Sequence, residues 1–199
     1  KWPGSITPAC TGPTGISCQP SPSVGRNSGC RGGPAWRGAR CTIGVVTGVL
    51  GIRWYDCVVT GMEAHAGPTP MALRKDALQV ATRLMQEVVA CAHRHPQGDQ
   101  NHGRGTVGMV KVHPNSRNVI PGRVKFSIDL RNVDNERLDT MDREIRAFCA
   151  KMQEESGLPV VIEQVSYFPP CPFEEGCVSA VRQATARFGF TNMEVVSGA

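Results

Sequence analysis

The sequence lacks several features that mark particular protein classes. No stretch approaches the roughly 18 consecutive apolar residues of a membrane-spanning helix, and no apolar segment near the first residue precedes a small-residue cleavage site. Nine cysteines are present, but no C-x-x-C motif and no G-x-S-x-G motif. The pattern argues against a membrane span, a secretory signal, a zinc knuckle, a dithiol redox centre and a nucleophile-elbow hydrolase. Scattered thiols favour a reducing compartment, so we expect a cytoplasmic protein.

Acidic residues are missing from residues 1–40, which are rich in Gly, Pro and Ser. This segment holds five basic residues, Lys1, Arg26, Arg31, Arg37 and Arg40. The net charge of +5 therefore belongs to this segment, because basic and acidic residues balance over residues 41–199. A nucleic-acid-binding domain carries its basic excess on a folded face, so we exclude nucleic acid as a partner. The composition predicts that residues 1–40 are disordered and outside the domain fold.

Clear periodicity begins at Cys41. Two β-like runs, Thr42–Thr47 and Ile52–Thr60, precede a helical pattern. We predict that this helix has Thr69 as its N-cap and Pro70 as its first residue, and that it ends near residues 93–96. Its predicted apolar stripe consists of Leu73, Ala77, Val80, Leu84 and Val88.

The next elements are predicted to be two strands, a helix and a strand. The predicted bounds are Thr106–Val112, Arg123–Asn132, Asp134–Glu155 and Val160–Tyr167. In the second strand, Val124, Phe126, Ile128 and Leu130 alternate with Lys125, Ser127, Asp129 and Arg131. The order β-α-β-β-α-β predicts an α+β, ferredoxin-like domain with two helices on one face of a four-stranded antiparallel sheet. A helix over 174–188 and a strand over 193–196 follow, and indicate the start of a second domain.

Three residues stand out as possible functional groups. His65 lies in the small-residue turn TGMEAHAGPTP between a strand and a helix, where its ring should project outward. Asn118 lies in the turn RNVIPG, and Arg131 lies on the polar face of a strand. Ordinary structural roles compete with functional ones at all three: a solvated histidine, an Asx turn, and an ion pair with an acid near Asp129.

The other histidines and the acids offer no comparable setting. His93, His95, His102 and His113 fall in or beside loops, so we expect them to be solvated. No cluster of His, Asp and Glu is recognisable as a metal site by itself.

Several motifs together resemble one enzyme family. EAHAGPTPMALRKDAL, TVGMVKV, NVIPGRVKFSIDLR and VVSGA are similar to the amidohydrolase branch of the aminoacylase/carboxypeptidase-type metallopeptidases. This branch contains N-carbamoyl-L-amino-acid hydrolases, β-ureidopropionase and allantoate amidohydrolase. The resemblance covers about residues 42–199. It implies a catalytic domain with two divalent metals, zinc or manganese, and an inserted ferredoxin-like lid that forms a homodimer.

The resemblance also implies roles for the three residues. His65 would polarise the scissile carbonyl or ureido oxygen, while Asn118 and Arg131 would bind the substrate, with Arg131 on its carboxylate. The implied substrate is a small ureido compound that bears a carboxylate. Residues 41–51 would be a catalytic-domain strand and linker, residues 52–168 the lid, and residues 169–199 the start of the returning catalytic segment.

The family's metal-ligand motifs are not found in this sequence. We therefore expect a truncated, inactive fragment that binds no metal itself. Two alternatives stay open: a separate ferredoxin-like binding or dimerisation module, and the aminoacylase or dipeptidase branch of the same clan.

Overall fold

The computed structural model describes residues 41–96 and 103–198 of the 199-residue chain. The predictions made for residues 1–40 and for His102 lie outside these residues. In chain order the elements are β1 (Ile43–Val49), β2 (Gly51–Thr60), β3 (Ala64–His65), a 3-10 turn (Met71–Leu73), α1 (Ala77–Arg94), β4 (Arg104–Thr106), β5 (Val110–His113), β6 (Val119–Ile120), β7 (Arg123–Asn132), α2 (Asn135–Ser156), β8 (Val160–Phe168), β9 (Cys171–Pro172), α3 (Glu175–Arg187) and β10 (Asn192–Ser197).

The largest sheet has the order β4-β7-β2-β8. Strand β5 also pairs with β7, at residues 123–126, whereas β4 pairs with residues 129–131. All of its strand pairs are antiparallel. Helices α1 and α2 pack against one face of this sheet and enclose the main core. A smaller sheet, ordered β10-β1-β9, has α3 packed against β1. The chain is therefore a mixed α/β protein with more than one sheet.

Strand β7 has the alternation that its sequence predicts. Val124, Phe126, Ile128 and Leu130 are at most 1% exposed, because they face the helices. The intervening polar residues lie on the opposite face of the sheet, where they are only partly buried. Helix α2 also forms where predicted. The Asp134 side chain accepts from the amides of Glu136 and Arg137, and Gly157 ends the helix with φ of 66°.

The predicted start of the first helix is wrong. Helix α1 begins at Ala77, with Asp76 as its N-cap, because the Asp76 carboxylate accepts from the amides of Leu78 and Gln79. Thr69 instead donates its hydroxyl to the carbonyl of His65, so it closes a turn rather than starting a helix. Residues 71–73 form only a single 3-10 turn. The Thr69-Pro70 pair is typical of a helix start, but Asp76 caps the helix instead.

Two smaller predictions also need correction. The predicted strand Thr106–Val112 is two short strands, β4 and β5, separated by residues 107–109. The prediction that His95 is solvated is wrong. Its side chain is 13% exposed, and its Nε2 lies 2.9 Å from Glu144 Oε1. Tertiary packing of α1 against α2 creates this contact, and the local sequence does not reveal it.

A polar connection ties the central strand to α2 at the edge of the core. The Tyr55 hydroxyl donates to Asp142 at 2.7 Å, although the Tyr55 residue is 1% exposed. Arg53 forms ion pairs with Asp139 and Asp142, and its guanidinium lies 4.6 Å from the centre of the Tyr167 ring. Burial and the Asp142 carboxylate raise the pKa of Tyr55 above its ordinary value. The phenol therefore stays protonated and continues to donate.

None of the helices described is long and apolar enough to cross a membrane.

We predict that Tyr55→Phe lowers the free energy of unfolding by about 1–3 kcal/mol, because it removes a buried hydrogen bond to a charged group and keeps the ring. Tyr167→Phe is the matched control. Its hydroxyl donates to Asn135 at 2.7 Å on an exposed side chain, so its loss should cost less than about 1 kcal/mol. Urea denaturation of the two variants measures the difference, and equal losses would contradict the proposed connection.

Candidate functional site

His65 is presented on an exposed turn by a set of local hydrogen bonds. The amide of Gly67 donates to His65 Nδ1 at 3.0 Å. The carbonyl of His65 accepts from the Thr69 hydroxyl at 2.7 Å and from the Thr69 amide at 3.3 Å. Since Nδ1 accepts a hydrogen bond, the neutral ring carries its proton on Nε2. His65 therefore offers an outward N–H donor in a fixed orientation.

The Arg74 side chain stabilises the turn that carries His65. Its Nη2 donates to the carbonyl of Ala66 at 2.7 Å and to that of Thr69 at 3.0 Å, and its Nε also donates to Thr69 at 3.1 Å. A planar guanidinium suits two adjacent carbonyls because its donors form a rigid fork. Arg74 is thus a positioning residue for the His65 turn, and the sequence reading did not single it out.

Asn118 lies beside His65, although 53 positions separate them in sequence. Strands β3 and β6 pair antiparallel, with His65 opposite Val119, and the Ala66 amide donates to the Asn118 carbonyl at 2.8 Å. The Asn118 side chain is exposed, and its Oδ1 accepts from the Ser116 hydroxyl at 3.0 Å. The amide Nδ2 is therefore the group that can face a ligand. The structure brings together these two predicted site residues.

Arg131 lies at the opposite end of the sheet. Its Nε and Nη2 donate to the two carboxylate oxygens of Asp129 at 2.9 and 2.6 Å, and Nη1 donates to the carbonyl of Gly198. The ion pair that competed with a functional role is thus present, with Asp129 itself on the same strand. Asp129 also fixes the guanidinium plane. Its contact with Gly198 places Arg131 beside the end of β10.

The distance between these two ends is set by the sheet. Strand β7 runs from Arg123, next to the β3–β6 pair, to Asn132, next to Arg131. Eight residues of antiparallel strand span about 27 Å. One copy of the chain therefore cannot place His65 and Arg131 on the same small molecule in this conformation.

A dinuclear metal site does not fit the surroundings of these three residues. In the part of the chain that the structure describes, one group of three or more His, Cys, Asp and Glu has its ligand atoms close together: Cys91, His95 and Glu144. That group lies between α1 and α2, on the helix-covered face of the sheet, whereas Arg131 lies on the opposite face. The described residues around His65 thus supply no such set.

Comparison with known proteins identifies the family of this chain. The sequence pattern of the peptidase dimerisation domain matches residues 47–156, which is more than half of the chain. The chain belongs to the peptidase dimerisation domain family. The matched residues run from β1 to the last residue of α2 and include His65, Asn118 and Arg131.

Two curated relatives are similar to most of this chain. The N-carbamoyl-L-amino-acid amidohydrolase of Rhizobium meliloti is 38% identical over 167 residues, which cover 84% of this chain and 39% of that protein. The allantoate amidohydrolase of Bacillus subtilis is 33% identical over 157 residues, which cover 79% of this chain and 37% of that protein. The chain therefore spans about two fifths of the length of these relatives.

A solved structure extends the similarity to the fold. An amidase of the hydantoinase/carbamoylase family from Burkholderia multivorans is 47% identical, with a TM-score of 0.78 over 84% of this chain and 40% of that one. The family that the sequence motifs indicated is confirmed, and so is the resemblance to N-carbamoyl-L-amino-acid and allantoate amidohydrolases.

We predict that Arg74→Met loosens the His65 turn without unfolding the dimerisation domain. Loss of the three hydrogen bonds should raise the exchange rate of the Thr69 amide by about tenfold or more, because about 1.4 kcal/mol of local stability is a factor of ten. Arg83→Met is the control, because Arg83 pairs with Glu155 on the exposed surface of the helices. Amide exchange followed by NMR makes the measurement. Unchanged Thr69 exchange in Arg74→Met would show that the turn holds itself.

Proposed function

We propose that this chain is the lid, with flanking pieces of the catalytic domain, of an amidohydrolase that cleaves carbon–nitrogen bonds in linear amides. The proposed substrates are N-carbamoyl amino acids or ureido acids. Support comes from the matched dimerisation domain and from relatives named N-carbamoyl-L-amino-acid amidohydrolase and allantoate amidohydrolase. These names favour the carbamoylase branch over the aminoacylase or dipeptidase branch.

The proposed domain bounds follow the two sheets. Residues 52–168 form the lid, which we assign to the ferredoxin-like type. Support for this assignment is the antiparallel order β4-β7-β2-β8, with two helices on one face. Residues 41–51 and 169–198 are proposed to belong to the catalytic domain, because β1 pairs with β10 and β9 and has no pairing with the larger sheet.

In the proposed reaction, the His65 Nε2–H donates to the substrate oxygen as negative charge develops on it. A donor that is already oriented stabilises such an oxyanion more than it stabilises the neutral carbonyl. The Asn118 amide nitrogen supplies a second donor on the same side. Arg131 binds the substrate carboxylate through the Nη1 and Nη2 hydrogens that are not donated to Gly198 and Asp129.

The observation that carries the proposal is the separation along β7, about 27 Å from Arg123 to Arg131. His65 and Asn118 share one end, and Arg131 lies at the other beside Gly198. We propose that a complete site takes His65 and Asn118 from one copy and Arg131 from a second copy. The homodimer proposed for this domain would then be required for activity.

The metals of the proposed enzyme are assigned to other parts of the protein. The family of this dimerisation domain is generally metal-dependent, and we propose zinc or manganese as the catalytic metal. Residues 41–96 and 103–198 are not proposed as ligands of that catalytic metal. The cytoplasmic location stays a prediction from the thiol pattern.

We predict that substitutions at the two ends of β7 have different kinetic signatures. The test enzyme carries residues 41–198 in place of the matching segment of the Rhizobium meliloti relative. Arg131→Lys should raise KM by about tenfold or more, because lysine loses the two-pronged fit to a carboxylate. His65→Ala should mainly lower kcat, by about 100- to 1000-fold.

Arg83→Lys is the control for Arg131→Lys, because Arg83 lies exposed on α1. Steady-state kinetics on an N-carbamoyl amino acid separate the two parameters. An unchanged KM in Arg131→Lys would reduce Arg131 to a structural partner of Asp129 and would favour a binding module without this catalytic role.

We predict that two inactive variants of this enzyme restore activity when mixed. Dimers of His65→Ala and of Arg131→Ala, dissociated and reassociated at equal concentration, form hybrids in half of all dimers. One of the two sites in each hybrid has every residue intact, so about a quarter of the original activity should return. If each copy builds its own site, every site in the mixture lacks one residue and no activity returns.

A further inference from the structure

A cluster of potential metal ligands lies between the two long helices, on the opposite face of the large sheet from Arg131. Its members are Cys91 and His95, at the end of α1, and Glu144, on α2. Their ligand atoms lie within 4.8 Å of one another. His95 is the C-cap of α1, four positions after Cys91, and the thiol and the imidazole lie close together at this end of the helix. Cys91 is fully buried, and the His95 and Glu144 side chains are 13% and 33% exposed.

Two of the ligands contact each other, and neighbouring groups orient them. Glu144 Oε1 lies 2.9 Å from His95 Nε2, while Glu144 Oε2 accepts from Arg94 Nη2 at 2.7 Å. Arg94 is held in turn by Glu87. The buried Asn132 side chain donates to the His95 carbonyl at 3.3 Å and fixes the backbone there. Partners of this kind are typical outer contacts of metal ligands, because they hold carboxylate and imidazole in place.

A carboxylate, an imidazole and a thiol converge on one small volume. A divalent cation between them would offset the negative charge of the carboxylate and of a thiolate.

A surface groove of about 320 Å³ lies beside the cluster. It is lined by Glu87, Arg94, Glu144, Ala147, Phe148 and Lys151, so Glu144 is the member of the cluster that faces it.

We propose that Cys91, His95 and Glu144 bind one zinc ion between α1 and α2, with water in the fourth position. Sulfur, imidazole and carboxylate are the ligands that zinc takes in proteins, at about 2.0–2.3 Å. Tetrahedral geometry at these lengths separates the ligand atoms by about 3.3–3.8 Å. Binding would replace the 2.9 Å contact between His95 Nε2 and Glu144 Oε1 by a bond from each to the ion, so these two partly exposed side chains would separate slightly. A thiolate and a carboxylate balance the zinc charge, and Arg94 keeps its bond to Oε2.

The site differs from the catalytic metals proposed above in its residues and its place. It also departs from the expectation that this chain binds no metal. Its role follows from position: the ion would join α1 to α2 at the edge of the core. This inference does not depend on the proposed hydrolase activity, because binding is measured directly on the 199-residue chain.

The test uses Co²⁺ as a spectroscopic substitute for zinc. Titration of the reduced chain should give one cobalt per chain, a thiolate-to-cobalt charge-transfer band, and displacement by zinc. Cys91→Ser should abolish the band. Cys91→Ser, His95→Ala and Glu144→Gln should each weaken zinc binding by more than about 100-fold, beyond the 10- to 100-fold loss typical of an outer partner. Arg94→Gln should weaken it by about tenfold.

Two controls separate this site from binding by other thiols and histidines. Cys177 is exposed, and His93 lies exposed on α1 outside the cluster, so Cys177→Ser and His93→Ala should leave band and affinity unchanged. The proposal is overturned if the band survives in Cys91→Ser or disappears in Cys177→Ser. Circular dichroism checks the fold of each variant. If Cys91→Ser does not fold, unchanged zinc affinity in His95→Ala and Glu144→Gln overturns the proposal, since both side chains lie partly exposed.

Discussion

The ten-residue antiparallel pairing of β2 with β7 is the constraint on which the geometry of the site depends. Thr60 lies opposite Arg123 at one end, and Gly51 lies opposite Asn132 at the other. The turn that carries His65 follows β2 at the first end, and the turn that carries Asn118 precedes β7 there. Because the sheet is rigid and the strand has a fixed rise per residue, Arg131 is held at the far end. A continuous sheet thus groups two of these residues and separates the third.

Local polar contacts add precision to this frame. Arg74 and Thr69 fix the turn around His65, and the Gly67 amide selects one tautomer of its ring. Asp129 fixes the guanidinium of Arg131 in the same way. Such contacts matter for chemistry, because a donor must already point at the place where charge develops. The geometry of the site therefore depends on Arg74, Thr69 and Asp129 as well as on the residues that would contact a substrate.

Much of the fold was predictable because the periodicity of the sequence is strong. The alternation in β7 and the caps of α2 are read directly from residue types at fixed spacing. The start of α1 was not, since Thr69-Pro70 and Asp76 both carry start signals, and only the folded chain shows Thr69 bonded to His65. His65, Asn118 and Arg131 were identified from motifs and an ion pair near Asp129 was anticipated, whereas Arg74 gave no signal of its own. The prediction that His65 is exposed is confirmed. The prediction that His95 is solvated was wrong, because its contact with Glu144 on α2 depends on helix packing that the local sequence does not reveal.

The sequence by itself determined the family, the order of helices and strands, and the residue types that can act on a carbonyl and a carboxylate. These properties depend on local spacing and on motifs, and both are visible in a single chain. The tertiary structure decided which residues meet. It joined His65 to Asn118 across 53 positions, separated Arg131 from both, and brought Glu144 on α2 to Cys91 and His95 on α1. Contacts between elements depend on strand register and helix packing, which no local pattern in the sequence specifies.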